Sequence, residues 1–399
     1  MQKLRKVRVT FGLYPLSSSM TTKGLTTLVK KVDFPVYGLD FTVNDDIVAV
    51  GGGGSGRSGV KNKLIAFAVN AARGEFTELG SLTLPEDQDC PMSVGCNPVE
   101  PTFATGINES EDKIKRGENP ACKIYSLESG KIQLINCSSA STSRNLKDYQ
   151  KVARFSPQGR YLVAGCTDGR VTVFKMPEMT LCFPPVRFNG IQDCDINPDE
   201  RYVAVATAKA LIILALEDGT IVQVIDSPRL NKQVACEFRS CRYSIGRPGN
   251  SHKLFAAVNP VTRGKGFICV WNIPNRTNRY PISRAKTASV CRKGITSFCL
   301  SPSGDLLAYA STDLTIGLLD AKTLTPILRV KEAHGFAITS LVFSRSGKFL
   351  ASAGADTQCR IMIMPDTLQT GPDYSELLFA MLSLPLLIML IHIIVQLIG

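Results

Sequence analysis

One phrase recurs along this chain and leaves few architectures open to it. Phe155-Ser-Pro-Gln-Gly-Arg-Tyr-Leu-Val-Ala-Gly reads as a strand end, a tight turn and a second strand. Ile196-Asn-Pro-Asp-Glu-Arg-Tyr-Val-Ala-Val-Ala, Leu300-Ser-Pro-Ser-Gly-Asp-Leu-Leu-Ala-Tyr-Ala and Phe343-Ser-Arg-Ser-Gly-Lys-Phe-Leu-Ala-Ser-Ala follow the same plan. Ile196 lies 41 residues after Phe155, and Phe343 lies 43 after Leu300. A period of about 40–45 residues built from short strands and turns is the length of one propeller blade. From Leu25 to Leu368 apolar runs alternate with Asp-Gly, Ser-Gly, Pro-Asp and Asn-Pro turns, without helical periodicity.

These units resemble WD repeats. Only Trp271 stands where the tryptophan of that repeat falls; Phe174, Leu319 and Ile363 replace it elsewhere. Three weaker units, Phe41–Glu75, Met92–Lys131 and Glu237–Thr277, bring the count to seven, the last with a Gly-, Pro- and Arg-rich insertion at Ser244–Ser251. The final unit stops at Ile361–Met364 without a fourth strand. A strand within Leu25–Val32 is expected to supply it and so remove a sheet edge. Asp168, Asp313 and Asp356 recur at one turn, which points to turn hydrogen bonding rather than catalysis. His334 is read as structural for the same reason.

Between the apolar runs Ile47–Val50 and Leu64–Val69 stands Gly51–Asn62, GGGGSGRSGVKN. Four consecutive glycines suit neither a helix nor a regular strand interior. The segment formally contains G-x-G-x-x-G, but a dinucleotide site needs a helix to follow, and Lys61–Val69 continues as a strand. No kinase catalytic loop lies downstream, and no Lys-Ser/Thr follows Gly59 as in a P-loop. A flexible hairpin tip and an ordered loop whose carbonyls hold a cation both remain.

Three histidines and thirteen cysteines without zinc spacing argue against His-based catalysis and structural zinc. Unpaired, partly buried thiols in a reducing compartment are expected. The net charge of +12 favours an acidic partner. Neither a helix-turn-helix nor an aromatic-interleaved basic stripe is present, so no nucleic acid is expected. Residues 1–24 form a basic extension; it reads as dispensable or as an extra strand rather than a presequence, and Met20 is an alternative start. After the propeller, residues 25–368, a short linker, 369–376, leads to 377–398, apolar apart from Ser383, His392 and Gln396. That stretch is long enough for one transmembrane helix. No Lys or Arg follows Arg360, which places the propeller in the cytosol and the C-terminus in the lumen. The sequons at Asn108, Asn136 and Asn275 are then unglycosylated.

Pro35-Val-Tyr-Gly-Leu-Asp-Phe41, Val48-Ala-Val-Gly-Gly-Gly-Gly54 and Gly59-Val-Lys-Asn-Lys-Leu64 resemble the first blade of a specific family. It is the endoplasmic-reticulum guanine-nucleotide exchange factors for the Sar-type GTPase of COPII coat assembly, which include prolactin regulatory element-binding protein. The resemblance implies an all-β, seven-bladed WD-repeat propeller followed by one C-terminal membrane helix. It implies exchange activity without covalent chemistry, a Sar-type GTPase partner and an ER membrane location. It also implies a potassium-ordered loop shaped by Gly51, Gly52, Gly53, Gly54 and Gly59, with Asn62 at the position important for exchange. Gly56, Arg57, Ser58 and Lys61 fall in the variable part of that loop. The chain stops after the anchor, without the lumenal domain of some members. The alternative is a related ER-exit scaffold that lacks exchange activity.

Overall fold

The recurring phrase is a hydrogen-bonded corner. Ser156 ends one strand, and its hydroxyl accepts the Tyr161 N–H at 3.0 Å, where the next strand begins. Gly159, at φ 73°, makes the reversal between them. Ser301 accepts the Leu306 N–H at 3.0 Å and Ser344 the Phe349 N–H at 3.1 Å. In the variant without glycine, the Asn197 side chain accepts from Arg201 and Tyr202 at 2.7 and 2.8 Å. Each corner fixes the register of the strand pair it joins.

The computed structural model describes residues 25–54, 58–128, 130–230, 234–244, 252–273, 284–365 and 368. Its strands form seven antiparallel sheets. Blade 1 comprises Val36–Phe41, Ile47–Gly51, Lys63–Asn70 and Glu75–Thr83; blade 2 comprises Val94–Cys96, Thr102–Gly106, Cys122–Glu128 and Lys131–Ser138. Blade 3 runs from Gln150 to Arg187, blade 4 from Asp193 to Asp226, blade 5 from Cys236 to Cys291 and blade 6 from Ile295 to Val330. Blade 7 takes Ile338–Phe343, Phe349–Gly354 and Gln358–Ile363 from the C-terminal side and Thr27–Lys31 from the N-terminal side. That closing strand pairs Thr27 with Met362 and Lys31 with Gln358. The strand expected within Leu25–Val32 is thus in place.

The core lies between blades. One cluster joins Phe41, Ile47 and Phe67 of blade 1 to Ala351 and Ile361 of blade 7; another joins Val48 and Leu64 to Phe103 and Tyr125 of blade 2. Trp271 is buried against Phe238 within blade 5. Inner-strand carboxylates brace neighbouring blades: Asp40 accepts the Cys96 N–H at 2.8 Å and Asp195 the Tyr243 N–H at 2.7 Å. All thirteen cysteines are free thiols, and all but Cys137 and Cys182 are buried. One feature departs from the all-strand expectation: Glu111–Arg116 is a helix, inserted in blade 2. It is too short for its periodicity to show, and Gly117, at φ 84°, ends it. Residues 1–24, the insertion at 245–251 and the span expected at 377–398 lie outside the described residues. Among those described, no helix is long and apolar enough to cross a membrane.

The recurring aspartates serve turns. Asp168 accepts from the Ser141 hydroxyl at 2.7 Å and the Arg170 N–H at 3.0 Å, and Asp313 from Ser311. Asp356 accepts the Gly335 N–H at 2.7 Å and lies 3.0 Å from His334 Nδ1, while His334 Nε2 lies 2.8 Å from the Ser352 hydroxyl. Burial holds the His334 imidazole below its ordinary value, against the opposing pull of Asp356. The unfolded chain therefore binds this proton more readily than the folded one. The stability at stake is complete above about pH 6.5, the ordinary histidine value, and is lost as the pH falls toward the lower folded value. Melting temperature is expected to fall on acidification from about pH 7.5 to about pH 5.5. His334→Gln, though less stable at the upper pH, should flatten that slope; an unchanged slope would assign it to other groups.

Candidate functional site

Gly51–Asn62 joins the second and third strands of blade 1. Val36, the first residue of the innermost strand, pairs with Gly51, so the loop leaves the ring on the face where the inner strands begin. Ser55, Gly56 and Arg57 lie outside the described residues. The two arms of the loop are fastened by one side chain. Asn62 is buried, and its Oδ1 accepts the Gly54 N–H at 3.0 Å. Its Nδ2 donates to the Gly54 carbonyl at 3.1 Å and to the Gln88 carbonyl at 2.9 Å. Its own carbonyl accepts the Leu84 N–H at 2.9 Å. A single carboxamide thus closes the loop on itself and ties it to the segment entering blade 2.

The glycines fit this closure for steric reasons. Gly52 has φ 148°, and a Cβ there would meet Asn62 Oδ1 at 2.2 Å and Asn62 Cα at 2.5 Å. A Cβ on Gly51 would meet the Pro35 carbonyl oxygen at 2.0 Å, and one on Gly53 the Ser58 hydroxyl at 1.9 Å. Gly59 has open space around it and only a left-handed φ of 77° to account for it. Gly52→Ala should therefore displace Asn62, at a backbone cost of about 1–3 kcal/mol before the clash is counted. Faster trypsin cleavage at Arg57 or Lys61, with the ring still folded, is the expected reading. Gly59→Ala should be milder, at about 1–2 kcal/mol; equal sensitivity in both variants would contradict this account.

A second layer supports the loop. The Gln88 side chain donates to Glu109 at 3.2 and 3.3 Å, and Glu109 accepts Lys123 Nζ at 2.6 Å and Lys113 Nζ at 2.9 Å. Burial pushes the Glu109 carboxyl up, but the two lysines outweigh it and hold it below the ordinary range. Cys90 lies beside the Gly54 backbone, and burial pushes its thiol up to about 12, so it stays protonated and inert. None of Gln88, Glu109 and Lys123 was expected from the sequence. The one available signal was Lys123, a charge inside the buried strand CKIYSLE.

The oxygens that this loop offers are neutral carbonyls and amides. Among the described residues no three His, Cys, Asp or Glu side chains converge as metal ligands. That donor set fits a large monovalent cation held by carbonyl oxygens better than a transition metal. Gly54 and Asn62 make the closure itself, Gly51, Gly52 and Gly53 lead into it, and Gly59 lies on the returning arm.

The family model for the WD domain, G-beta repeat, matches residues 150–175 and 325–361. These cover the first three strands of blade 3, and the last strand of blade 6 with most of blade 7. Over 364 residues the chain is 24% identical to a protein of Candida glabrata named guanine nucleotide-exchange factor SEC12, covering 88% of this chain and 75% of that one. The mouse protein of the same name is 22% identical over 380 residues, covering 84% and 90%. SEC12-like protein 2 of Arabidopsis thaliana is 26% identical over 317 residues, covering 77% and 74%. Each alignment spans most of the ring rather than a single blade.

Proposed function

We propose, for a chain that belongs to the SEC12 family of WD-repeat proteins, the activity its relatives are named for: it is a guanine-nucleotide exchange factor. The observation that carries this reading is the Asn62 closure, which ties the two arms of the glycine run to each other and to the segment entering blade 2. An exchange factor binds its GTPase better without nucleotide than with it, and so shifts the population toward release. This needs a preorganised element set against the nucleotide site, and no covalent chemistry. A loop tied at its base by a buried carboxamide suits that demand.

The finer reading is a Sar-type small GTPase as partner, at the endoplasmic reticulum, in the first step of COPII vesicle formation. Potassium would be held among the carbonyls of Gly51–Gly54 with Asn62, where its charge would stiffen the loop. Residues 377–398 would anchor the chain as a single pass, with the propeller in the cytosol and the C-terminus in the lumen. The experiment is release of fluorescent GDP from a Sar-type GTPase by the full chain in detergent, in potassium and then in sodium buffer. Faster release, stronger in potassium, is expected. No acceleration in either buffer would leave the related scaffold without exchange activity. Acceleration indifferent to the cation would remove potassium and keep the exchange.

A further inference from the structure

A β-bulge recurs in the inner strands at one register. It lies between Val36 and Gly38 in blade 1, Gln150 and Val152 in blade 3, Phe238 and Ser240 in blade 5, Ile295 and Ser297 in blade 6, and Ile338 and Ser340 in blade 7. The extra residue of a bulge leaves the ladder, and its side chain is re-aimed. Here those residues are Tyr37, Lys151, Arg239, Thr296 and Thr339, and all five line a cavity of about 440 Å³ at the mouth of the central channel. The inner strands begin at this mouth, so it shares a face with the Gly51–Asn62 loop.

The charges at this mouth are unbalanced. The cavity is lined by Lys151, Arg154, Arg239 and Arg242 against Asp40 and Asp193. Asp193 is engaged by Arg242 at 2.5 Å and by the Cys241 N–H, and Asp40 by the Cys96 N–H. Among the described residues Lys151, Arg154 and Arg239 form no direct ion pair, although Asp195 lies within electrostatic reach of Arg154 and Asp193 of Lys151. Lys151 Nζ and Arg239 Nη1 instead converge on one neutral oxygen, Gln192 Oε1, at 2.7 and 3.1 Å. Burial and the neighbouring Arg239 lower the Lys151 ammonium to about 8, against the weaker opposing pull of Asp193 and Cys194. Ser240, buried and lining the same cavity, has a hydroxyl without a partner, as have Thr296 Oγ1 and Arg154 Nε. Buried donors left open in this way are costly unless something accepts from them.

We propose that this channel mouth is a binding site for a free phosphate monoester, gripped by Lys151 and Arg239 with the Ser240 and Thr296 hydroxyls and Arg154 Nε as further donors. Phosphate supplies several charged acceptor oxygens at once, and guanidinium and ammonium donors bind it through charge-assisted hydrogen bonds. The volume suits one small, highly charged molecule rather than a flat surface. The site is independent of the exchange activity proposed above.

The test is calorimetric titration of the full chain in detergent with inorganic pyrophosphate and with inositol hexakisphosphate. The wild-type chain is expected to bind at least the second. Lys151→Gln with Arg239→Gln should weaken that binding by about tenfold or more. Exposed Arg263→Gln, which keeps the mouth intact, should leave it unchanged. Thr296→Val, nearly isosteric, should weaken it severalfold without unfolding, and Lys151→Arg should retain it. No heat with either probe up to millimolar concentration would overturn the site. So would equal affinity in wild type, Thr296→Val and the double variant. Binding confined to vesicles carrying a phosphoinositide, with none to the soluble probes, would overturn the free-anion source.

Discussion

Asn62→Ala is expected to reduce stimulated GDP release to the intrinsic rate of the GTPase while the ring stays folded. The carboxamide makes three hydrogen bonds, to the Gly54 N–H, the Gly54 carbonyl and the Gln88 carbonyl. Alanine leaves these groups part-buried without partners, at about 1–3 kcal/mol for each that water cannot reach. That loss falls on the loop, because the apolar contacts of blade 1 lie on its strands, at Ile47, Val48, Leu64 and Phe67. The melting temperature should therefore move by a few degrees, while the exchange rate collapses. Asn62→Asp sharpens the test. It keeps an acceptor for the Gly54 N–H, loses both donated bonds and sets a negative charge against two carbonyls. It should be as inactive as alanine if closure matters, and partly active if only the Gly54 N–H contact does. Wild-type release by Asn62→Ala would remove the loop from the mechanism.

How far the sequence carries depends on how local each determinant is. The corners at Ser156, Asn197, Ser301 and Ser344 are decided within six residues, and their phrase reads directly as strand, turn, strand. The closing strand was legible for a global reason: a final blade one strand short needs a fourth from the other end of the chain. The helix Glu111–Arg116 was not, since six residues carry less than two turns of pattern. At the loop, Asn62 and the glycines could be placed, but their supports Gln88, Glu109 and Lys123 could not. Those contacts join residues 14 to 26 positions apart; Gln88 and Glu109 alone read as ordinary exposed polar residues, and only Lys123, inside an apolar strand, left a trace. The bulges left even less trace. A single extra residue at Lys151, Arg239 or Thr296 shifts the strand alternation by one place, within the scatter of short strands.

Removing the closing strand should have the largest effect on stability. A chain beginning at Val32 loses the ladder that pairs Thr27–Lys31 with Gln358–Met362, and with it the bond from the Ile363 N–H to the Thr26 carbonyl. It also loses Leu28, buried among Phe34, Phe41 and Ile361 where blades 7 and 1 meet. Burial of one leucine is worth about 1.5–3 kcal/mol, and each ladder hydrogen bond about 0.5–1.5 kcal/mol net. Together these approach the whole stability of a typical domain, about 5–15 kcal/mol. The damage also exceeds the lost contacts, because blades 1 and 7 are then joined without a shared sheet, by the apolar cluster between them and by contacts such as Thr339 Oγ1 to the Val36 carbonyl at 2.6 Å. Gln358–Ile363 would become an open, apolar edge ready to pair with another chain. The truncated protein is expected to aggregate, or to melt more than about 10 °C below a chain beginning at Leu25. A synthetic peptide of residues 25–34 added during refolding should recover part of the difference, because the register is set by side chains that the peptide retains. A truncated chain that melts with the longer one, or a peptide without effect on a soluble truncated chain, would mean that the ring closes by some other contact.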